Sequence, residues 1–359
     1  MTGVQTCALP ICITALLFTV AVVITACKKD EEEDEEEATI PTVSTYAASN
    51  ITVTGATVGG SVISDGGAAI TARGVCWSTS NNPTTVDSNT EEGTGNGHFR
   101  SNINGLTAGT FYYVRAYATN SLGTAYGNSV SFRSEFNYGS LTDVAGNVYK
   151  TLTIGTQTWM VENLKTTKYN NGDPIVNITD NDAWFYATTA AYCWLFNDQS
   201  FATSKNYGAL YNFYAVEKGN LCPTGWHVPT DTEWTTLENY LADNGYNYDG
   251  TLGGGGSKIA KSLSIATGWY SSDNSYVGSI GNTDYPEYRN KSGFSALPAS
   301  CRYRDGSFCQ SIDYISRWWS STKNGDYYSW YRSITHESIG VYRGTDQDMA
   351  GASVRCVKD

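Results

Sequence analysis

Cys222-Pro223-Thr224-Gly225-Trp226-His227-Val228-Pro229-Thr230-Asp231-Thr232-Glu233-Trp234 carries the one strong helix start in a chain of 359 residues. Thr230 stands where a side-chain oxygen caps a first turn, and Glu233, three residues on, completes a capping box. Trp234, Leu237 and Leu241 then recur at i, i+3 and i+7 on one face, and Asn244-Gly245 supplies the stop. Working outward, Val148 to Ile154, the turn Gly155-Thr156, and Gln157 to Leu164 read as a β-hairpin. A shorter helical stretch, Ile259 to Leu263, follows the glycine loop Gly253 to Gly256. The rest reads as strands and long loops, which makes residues 137–359 an α+β domain with a loop-rich C-terminal half.

Upstream, short alternating runs separated by turn residues fill residues 40–134. These are Ile51 to Thr54, Thr57 to Val62, Ala72 to Ser78 and Phe111 to Ala118. Strands at such spacing predict an all-β sandwich. Gly105 to Asn120, with its Leu106, turn and Tyr112-Tyr113-Val114-Arg115-Ala116, resembles the end of a fibronectin type III domain. Cys76 beside Trp77 reads as a small buried hydrophobe rather than a nucleophile. His98 lies in a Gly/Asn-rich turn with no second ligand nearby. Distance and presentation are the expected task of this region.

Charged residues make up only 16% of the chain, whereas it holds 26 Tyr and 36 Gly, a balance suited to turn-rich β domains. The formal charge is −12. Eight carboxylates, Asp30 to Glu37, preceded by Lys28 and Lys29, account for −6 of it. What remains shows no basic stripe, so nucleic acid is excluded as the expected partner.

Thr2 to Ile11 looks like a translated sequencing adapter, so residues 1–27 are read as that artefact plus a truncated signal peptide, and Cys7 is set aside. Ile13 to Thr25 has the length of a signal h-region. Ile24-Thr25-Ala26-Cys27 resembles the lipobox of bacterial lipoproteins, which implies lipidation at Cys27. Residues 28–39 form an acidic tether whose like charges repel and bury nothing. With the linker to Thr45 it reaches at most about 60 Å. Acidic residues directly after the lipidated Cys resemble a surface-export signal. The expected location is therefore the outer membrane, lipid-anchored and cell-surface exposed, with the inner leaflet facing the periplasm as the alternative.

At the other end, Trp318-Trp319-Ser320-Ser321-Thr322 and Ser353-Val354-Arg355-Cys356-Val357 bracket a stretch rich in Tyr, Ser, Asn, Asp and Arg, with few aliphatics. Tyrosine offers rigid amphipathic area at low entropy cost, and small polar residues offer adaptable hydrogen bonds. The expected ligand-binding residues are Tyr327, Tyr328, Tyr331, Arg332, His336, Tyr342, Arg343 and Asp346. Trp318 and Trp319 are expected in the core.

Six ordered motifs carry a family resemblance: Gln157 to Leu164, Tyr207 to Asn212, Cys222 to Thr230, Gly293 to Pro298, Trp318 to Thr322 and Ser353 to Val357. Together they resemble the Fibrobacter succinogenes major paralogous domain. That family in turn is similar to the C-type lectin-like fold shared with formylglycine-generating enzymes, where a Leu-Pro-Thr-x-x-Glu-Trp helix start and a C-terminal Gly-Phe-Arg strand recur. Val228 to Trp234 and Ser353-Val354-Arg355 match those places. The resemblance implies a disulfide between Cys222 and Cys356, since both lie inside motifs and the bridge would staple the helix start to the last strand.

Cys193, Cys301 and Cys309 are left over. Cys301 and Cys309 read as a local disulfide or as two diversified positions, and their spacing departs from the oxidase motif. No Cys/His spacing suggests zinc, and His227 reads as a hydrogen-bonded structural residue. Asn181-Asp182, Asn197-Asp198 and Asp346-Gln347-Asp348 supply oxygens suited to structural calcium, but the sugar-binding triplets of calcium-dependent lectins are absent. No cofactor and no catalytic residue are expected.

Residues between Arg302 and Ala352 draw on the set that adenine scrambling of AAC or AAT codons yields, as in proteins diversified by retroelements. Ordinary Tyr-rich loops give the same composition. The expected function is a surface-anchored, non-enzymatic lipoprotein whose C-terminal domain binds an external protein or glycan. The alternatives are a carbohydrate-binding adhesin and a formylglycine-generating-enzyme-like oxidase.

Overall fold

The computed structural model describes residues 37–271, 276–309 and 312–359. Cys27, the h-region and most of the acidic run lie outside them.

Eight strands come first: β1 (Thr42–Ser49), β2 (Gly55–Ser64), β3 (Ala72–Ser78), β4 (Ser88–Asn89), β5 (Gly97–Asn104), β6 (Phe111–Asn120), β7 (Gly123–Tyr126) and β8 (Val130–Arg133). They form one sheet in the order β1-β2-β5 and another in the order β4-β3-β6-β7, with β8 also paired to β6. Alternation in β5 buries Phe99, Ser101 and Ile103 and turns the residues between them outward. Phe99 and Ile103 meet Val58, Val62, Val75, Val114 and Ala116 in a core shared by both sheets. Cys76 is fully buried on the opposite face of β3 from Val75, against the Pro83 and Arg115 carbonyls, and its thiol is pushed up to about 11 by desolvation, as a packing residue requires.

Two expectations fail here. Ile51 to Thr54 is not a strand: Asn50 takes φ +47° and Thr52 N–H donates to the Gly55 carbonyl at 2.8 Å, closing the turn between β1 and β2. His98 stands in β5 rather than in a turn, with its Nδ1 hydrogen-bonded to the Tyr46 hydroxyl.

The second half is β-rich with few helices. It runs β9 (Gly139–Thr142), β10 (Val148–Ile154), β11 (Gln157–Met160), β12 (Val176–Asn177), α1 (Asn181–Phe185), β13 (Ala191–Cys193), α2 (Gln199–Ser204), β14 (Leu210–Tyr211) and α3 (Phe213–Glu217). Then come β15 (Trp226–His227), α4 (Asp231–Asp243), α5 (Ala260–Leu263), β16 (Ile315–Lys323), β17 (Tyr328–Thr335), β18 (Tyr342–Gln347) and β19 (Val357–Lys358).

β10 and β11 pair across Ile154↔Gln157, and Gly155 takes φ +63° between them. A Cβ there would lie 2.7 Å from the Tyr240 ring, so the turn needs glycine on both counts. α4 begins with the capping box: Thr230 accepts from the Glu233 N–H, and Glu233 accepts from the Thr230 N–H at 2.8 Å. Its Trp234, Leu237 and Leu241 are buried against Trp159, Phe294 and Trp318. β19 closes the five-stranded sheet β15-β19-β11-β10-β9, so the stretch 222–234 is joined to the last strand by both hydrogen bonds and a disulfide between Cys222 and Cys356. Among the described residues no helix is long and apolar enough to cross a membrane.

Candidate ligand-binding surface

Five of the six motifs converge on one buried amide, directly or through Arg355, and the Cys222 to Thr230 motif is tied in separately by the disulfide to Cys356. Asn163 Oδ1 accepts from Trp318 Nε1 and from Arg355 Nε, each at 2.9 Å. Its Nδ2 donates to the Tyr207 carbonyl at 2.8 Å and to Ser353 Oγ at 3.2 Å. All four bonds that an amide side chain makes are thus satisfied. The Arg355 guanidinium is completely buried, lies 4.2 Å from the Phe294 ring centroid, and donates to the carbonyls of Phe294 and Ser295. Trp319 Nε1 donates to the Tyr211 carbonyl at 2.8 Å. Asn163, Trp318, Trp319, Ser353 and Arg355 are buried and spend their polar groups on one another and on the backbone.

β16, β17 and β18 form an antiparallel sheet in that order, and alternation divides the expected binding residues between its two faces. The pairs Tyr328↔Gln347 and Arg332↔Arg343 share one face, while Ser329↔Asp346, Tyr331↔Gly344 and Ser333↔Tyr342 share the other. The eight therefore do not make one surface.

Two of them are core residues. Arg332 is fully buried, and its guanidinium meets Asp231 at 2.6 Å and Glu238 at 2.5 Å on α4. Tyr331 is buried next to Trp319, with Arg317 4.3 Å from its ring centroid. Neither contacts solvent enough to serve as an anchor, because sheet and helix close over them. His336 packs edge-on against Tyr314 at 4.4 Å, away from the other seven, and Asp346 is tied to Arg317. Arg343 is exposed but engaged: it pairs with Asp231 at 2.8 Å and lies 3.5 Å from the Trp330 centroid. Burial alone would raise the Asp231 carboxyl, but Arg343 and Arg332 outweigh it and hold it below its usual range.

Tyr327, Tyr328 and Tyr342 remain as open rings, 72%, 43% and 61% exposed. The first two share a pocket of about 270 Å³ with Tyr214, Gln347 and Met349. Gln347 is pinned there, donating to the Tyr328 hydroxyl at 3.3 Å and accepting from Arg304 at 3.1 Å. Tyr342 belongs to the opposite face.

Residues 152–358, more than half of the chain, match the model of the Fibrobacter succinogenes major domain. The chain belongs to that family. The family domain thus contains the Asn163 cluster, the disulfide from Cys222 to Cys356 and the three-stranded terminal sheet.

Among curated proteins nothing matches the chain. Three solved structures of the sensor domain of the anti-sigma factor RsgI4 from Pseudobacteroides cellulosolvens show slight likeness. The short form is 16% identical, covering 27% of this chain and 97% of that one, at a TM-score of 0.22. The long form is 15% identical over 29% and 99%, at 0.23. The solution structure is 18% identical over 30% and 85%, at 0.22. Such scores assign neither fold nor ligand.

Tyr214 and Met349 were missed by sequence reasoning. Tyr214 was legible in part: α3 buries Phe213, Ala215 and Val216, which leaves Tyr214 outside on a helix directly after a motif. Met349 carried no such mark.

Elsewhere in the family domain, Cys301 and Cys309 are bonded and buried, and Cys193 is free and buried, its thiol pushed up to about 12 by desolvation. His227 is clamped between Asp359 at 2.6 Å and Glu233 at 2.9 Å. Burial opposes its protonation, but the hydrogen bonds to Asp359 and Glu233 outweigh burial and raise its pKa. Asp198 caps α2 and Asp348 accepts from Ser329, so these calcium candidates have local partners. Among the described residues no three His, Cys, Asp or Glu side chains converge on a metal-sized site.

Proposed function

We propose that the chain is an extracellular ligand-binding protein, and that it holds its ligand at the edge formed by Tyr214, Tyr327, Tyr328, Gln347 and Met349. The observation that carries this reading is the pair of exposed tyrosines beside a small pocket, whereas Tyr342, the other open ring of the sheet, stands on the opposite face with no such pocket beside it among the described residues. Exposed tyrosines on a rigid support lose little entropy on binding and supply both apolar area and a hydroxyl. The edge lies within the span that matches the family, and none of the six motifs includes one of its five residues.

The finer parts of the proposal rest on the sequence. A fibronectin type III-like spacer of residues 40–134 presents a C-type lectin-like domain of residues 137–359, and lipidation of Cys27 anchors both at the outer membrane. The terminal strands carry a surface diversified by a retroelement. The oxidase alternative needs an open pair of cysteines; the burial of Cys301 and Cys309 favours the binding reading instead.

The test is to probe arrays of immobilised glycans and extracellular proteins with the full chain. A hit lost in Tyr327→Ala and Tyr328→Ala but kept in Tyr342→Ala supports the site. A hit indifferent to the first two places the binding surface elsewhere. Hits confined to glycans would select the adhesin among the binding functions.

A further inference from the structure

A larger cleft, about 640 Å³, lies where the N-terminal sheets meet the loop around residues 285–292. That is the size range of small-ligand sites, far above that of the tyrosine pocket. Its walls are rings: Phe111 and Tyr113, edge to face at 5.3 Å, come from β6, and Tyr246 and Tyr288 come from the family domain. All four rings are half-buried, so each keeps a surface open to the cleft.

Two cations stand among the rings. Arg133 spends three N–H groups on carbonyls: one Nη1–H on Gly109 at 2.7 Å, and the two on Nη2 on Glu287 and on Arg289 at 3.3 Å. Its Nε–H and one further Nη1–H are left. Lys291 gives one N–H to the Gly245 carbonyl at 2.7 Å and lies 4.4 Å from the Tyr288 centroid and 5.4 Å from that of Tyr246. Among the described residues neither cation has a carboxylate within ion-pair distance. Glu287 lines the same cleft and leaves it one positive charge in excess. Burial pulls the Arg133 guanidinium down to about 10 and lowers Lys291 as well.

We propose that this cleft is a second binding site, for a saccharide that carries a carboxylate. Aromatic rings offer flat apolar area to the C–H faces of a sugar. Besides the apolar Ala108, Gly109, Phe136 and Leu152, the lining offers hydroxyl and amide groups, from Thr79, Asn81, Thr110, Asn137, Thr153 and Ser292, which can pair with sugar hydroxyls. A ligand carboxylate between Arg133 and Lys291 takes up the spare donors as charge-assisted hydrogen bonds. The site is built from both halves of the chain, which gives the N-terminal sheets a part in recognition beyond spacing.

The test is titration of the full chain with a four-unit galacturonic acid oligomer and with its neutral, carboxyl-reduced counterpart, in low and high salt. Saturable binding of the acid, weakened about tenfold or more by reduction of the carboxyls or by Lys291→Gln, supports the proposal. Asn81→Trp, which fills the cleft from an exposed position, should abolish binding without touching either cation, and it decides the matter if Lys291→Gln fails to fold. Tyr328→Ala should leave this affinity unchanged, so the two sites succeed or fail separately. Equal binding of the neutral oligomer, indifference to both cleft variants, or absence of saturable binding overturns the proposal. So does preference for a peptide with a free C-terminal carboxylate over the acid oligomer.

Discussion

The cluster around Asn163 and the edge at Tyr328 lie in one domain and use the same kinds of side chain, yet they do opposite work. In the cluster each polar group has found its partner: the amide of Asn163 makes four hydrogen bonds, and Arg355 is enclosed by carbonyls and rings. At the edge, Tyr327 and Tyr328 stand open and share a pocket with few fixed bonds. Burial makes polar partners obligatory, because an unmatched donor there loses its water without compensation. Exposure removes that demand and leaves residues free to be chosen for a ligand. A recurring motif therefore marks the frame, and the place to look for recognition is where motif and burial both stop.

The sharpest way to break this contrast is to unlock the frame. Replacing Cys222 and Cys356 by Ser together should cost about 4–5 kcal/mol in the chain-entropy account, since the bridge closes a separation of 134 residues. Denaturant unfolding measures it. A loss under about 1 kcal/mol would show that the bridge is not part of the frame. Asn163→Leu should cost about 3 kcal/mol, because Trp318 and Arg355 both lose an acceptor inside the core. Arg332→Met should cost about 2–3 kcal/mol by taking the charged hydrogen-bond donor from Glu238, whose carboxyl burial already pushes up. If Arg332→Met melts like the parent chain while ligand binding is lost, Arg332 belongs to the surface after all.

His227 sharpens the contrast by pH. Its folded pKa is raised, so its clamp contributes fully below the unfolded value of about 6.5 and is lost as pH rises through the folded pKa. The partly exposed pairs limit this to about 1 kcal/mol or less. The melting temperature of the parent chain should fall relative to His227→Gln as pH rises across that window, and parallel profiles would remove the clamp from the account.

Much of the frame was legible in the sequence because its causes are local. The capping box at Thr230, the Gly155 turn and the apolar face of α4 each depend on residues within a few positions of one another. The link between Cys222 and Cys356 was legible through the family motifs that contain them.

The binding edge was legible only in part, and the reasons are physical. Tyr328 and Arg332 were grouped with Tyr331 and Tyr342 because composition carries no register. The face of each side chain depends on how β17 pairs with its neighbours, and a shift of one residue would exchange every one of them. Arg332 looked like a surface residue because its partners, Asp231 and Glu238, come from a helix far upstream. Ile51 to Thr54 had strand composition, and only the backbone reversal at Asn50 shows it to be a turn.

The smallest expected effect is the most direct test of the division between frame and edge. Thermal unfolding of the full chain carrying Tyr327→Ser and Tyr328→Ser should match that of the parent chain within about 2 °C, since exposed substitutions away from the core cost little. A fall comparable to that of Asn163→Leu would contradict the account, for it would place the tyrosine edge inside the frame.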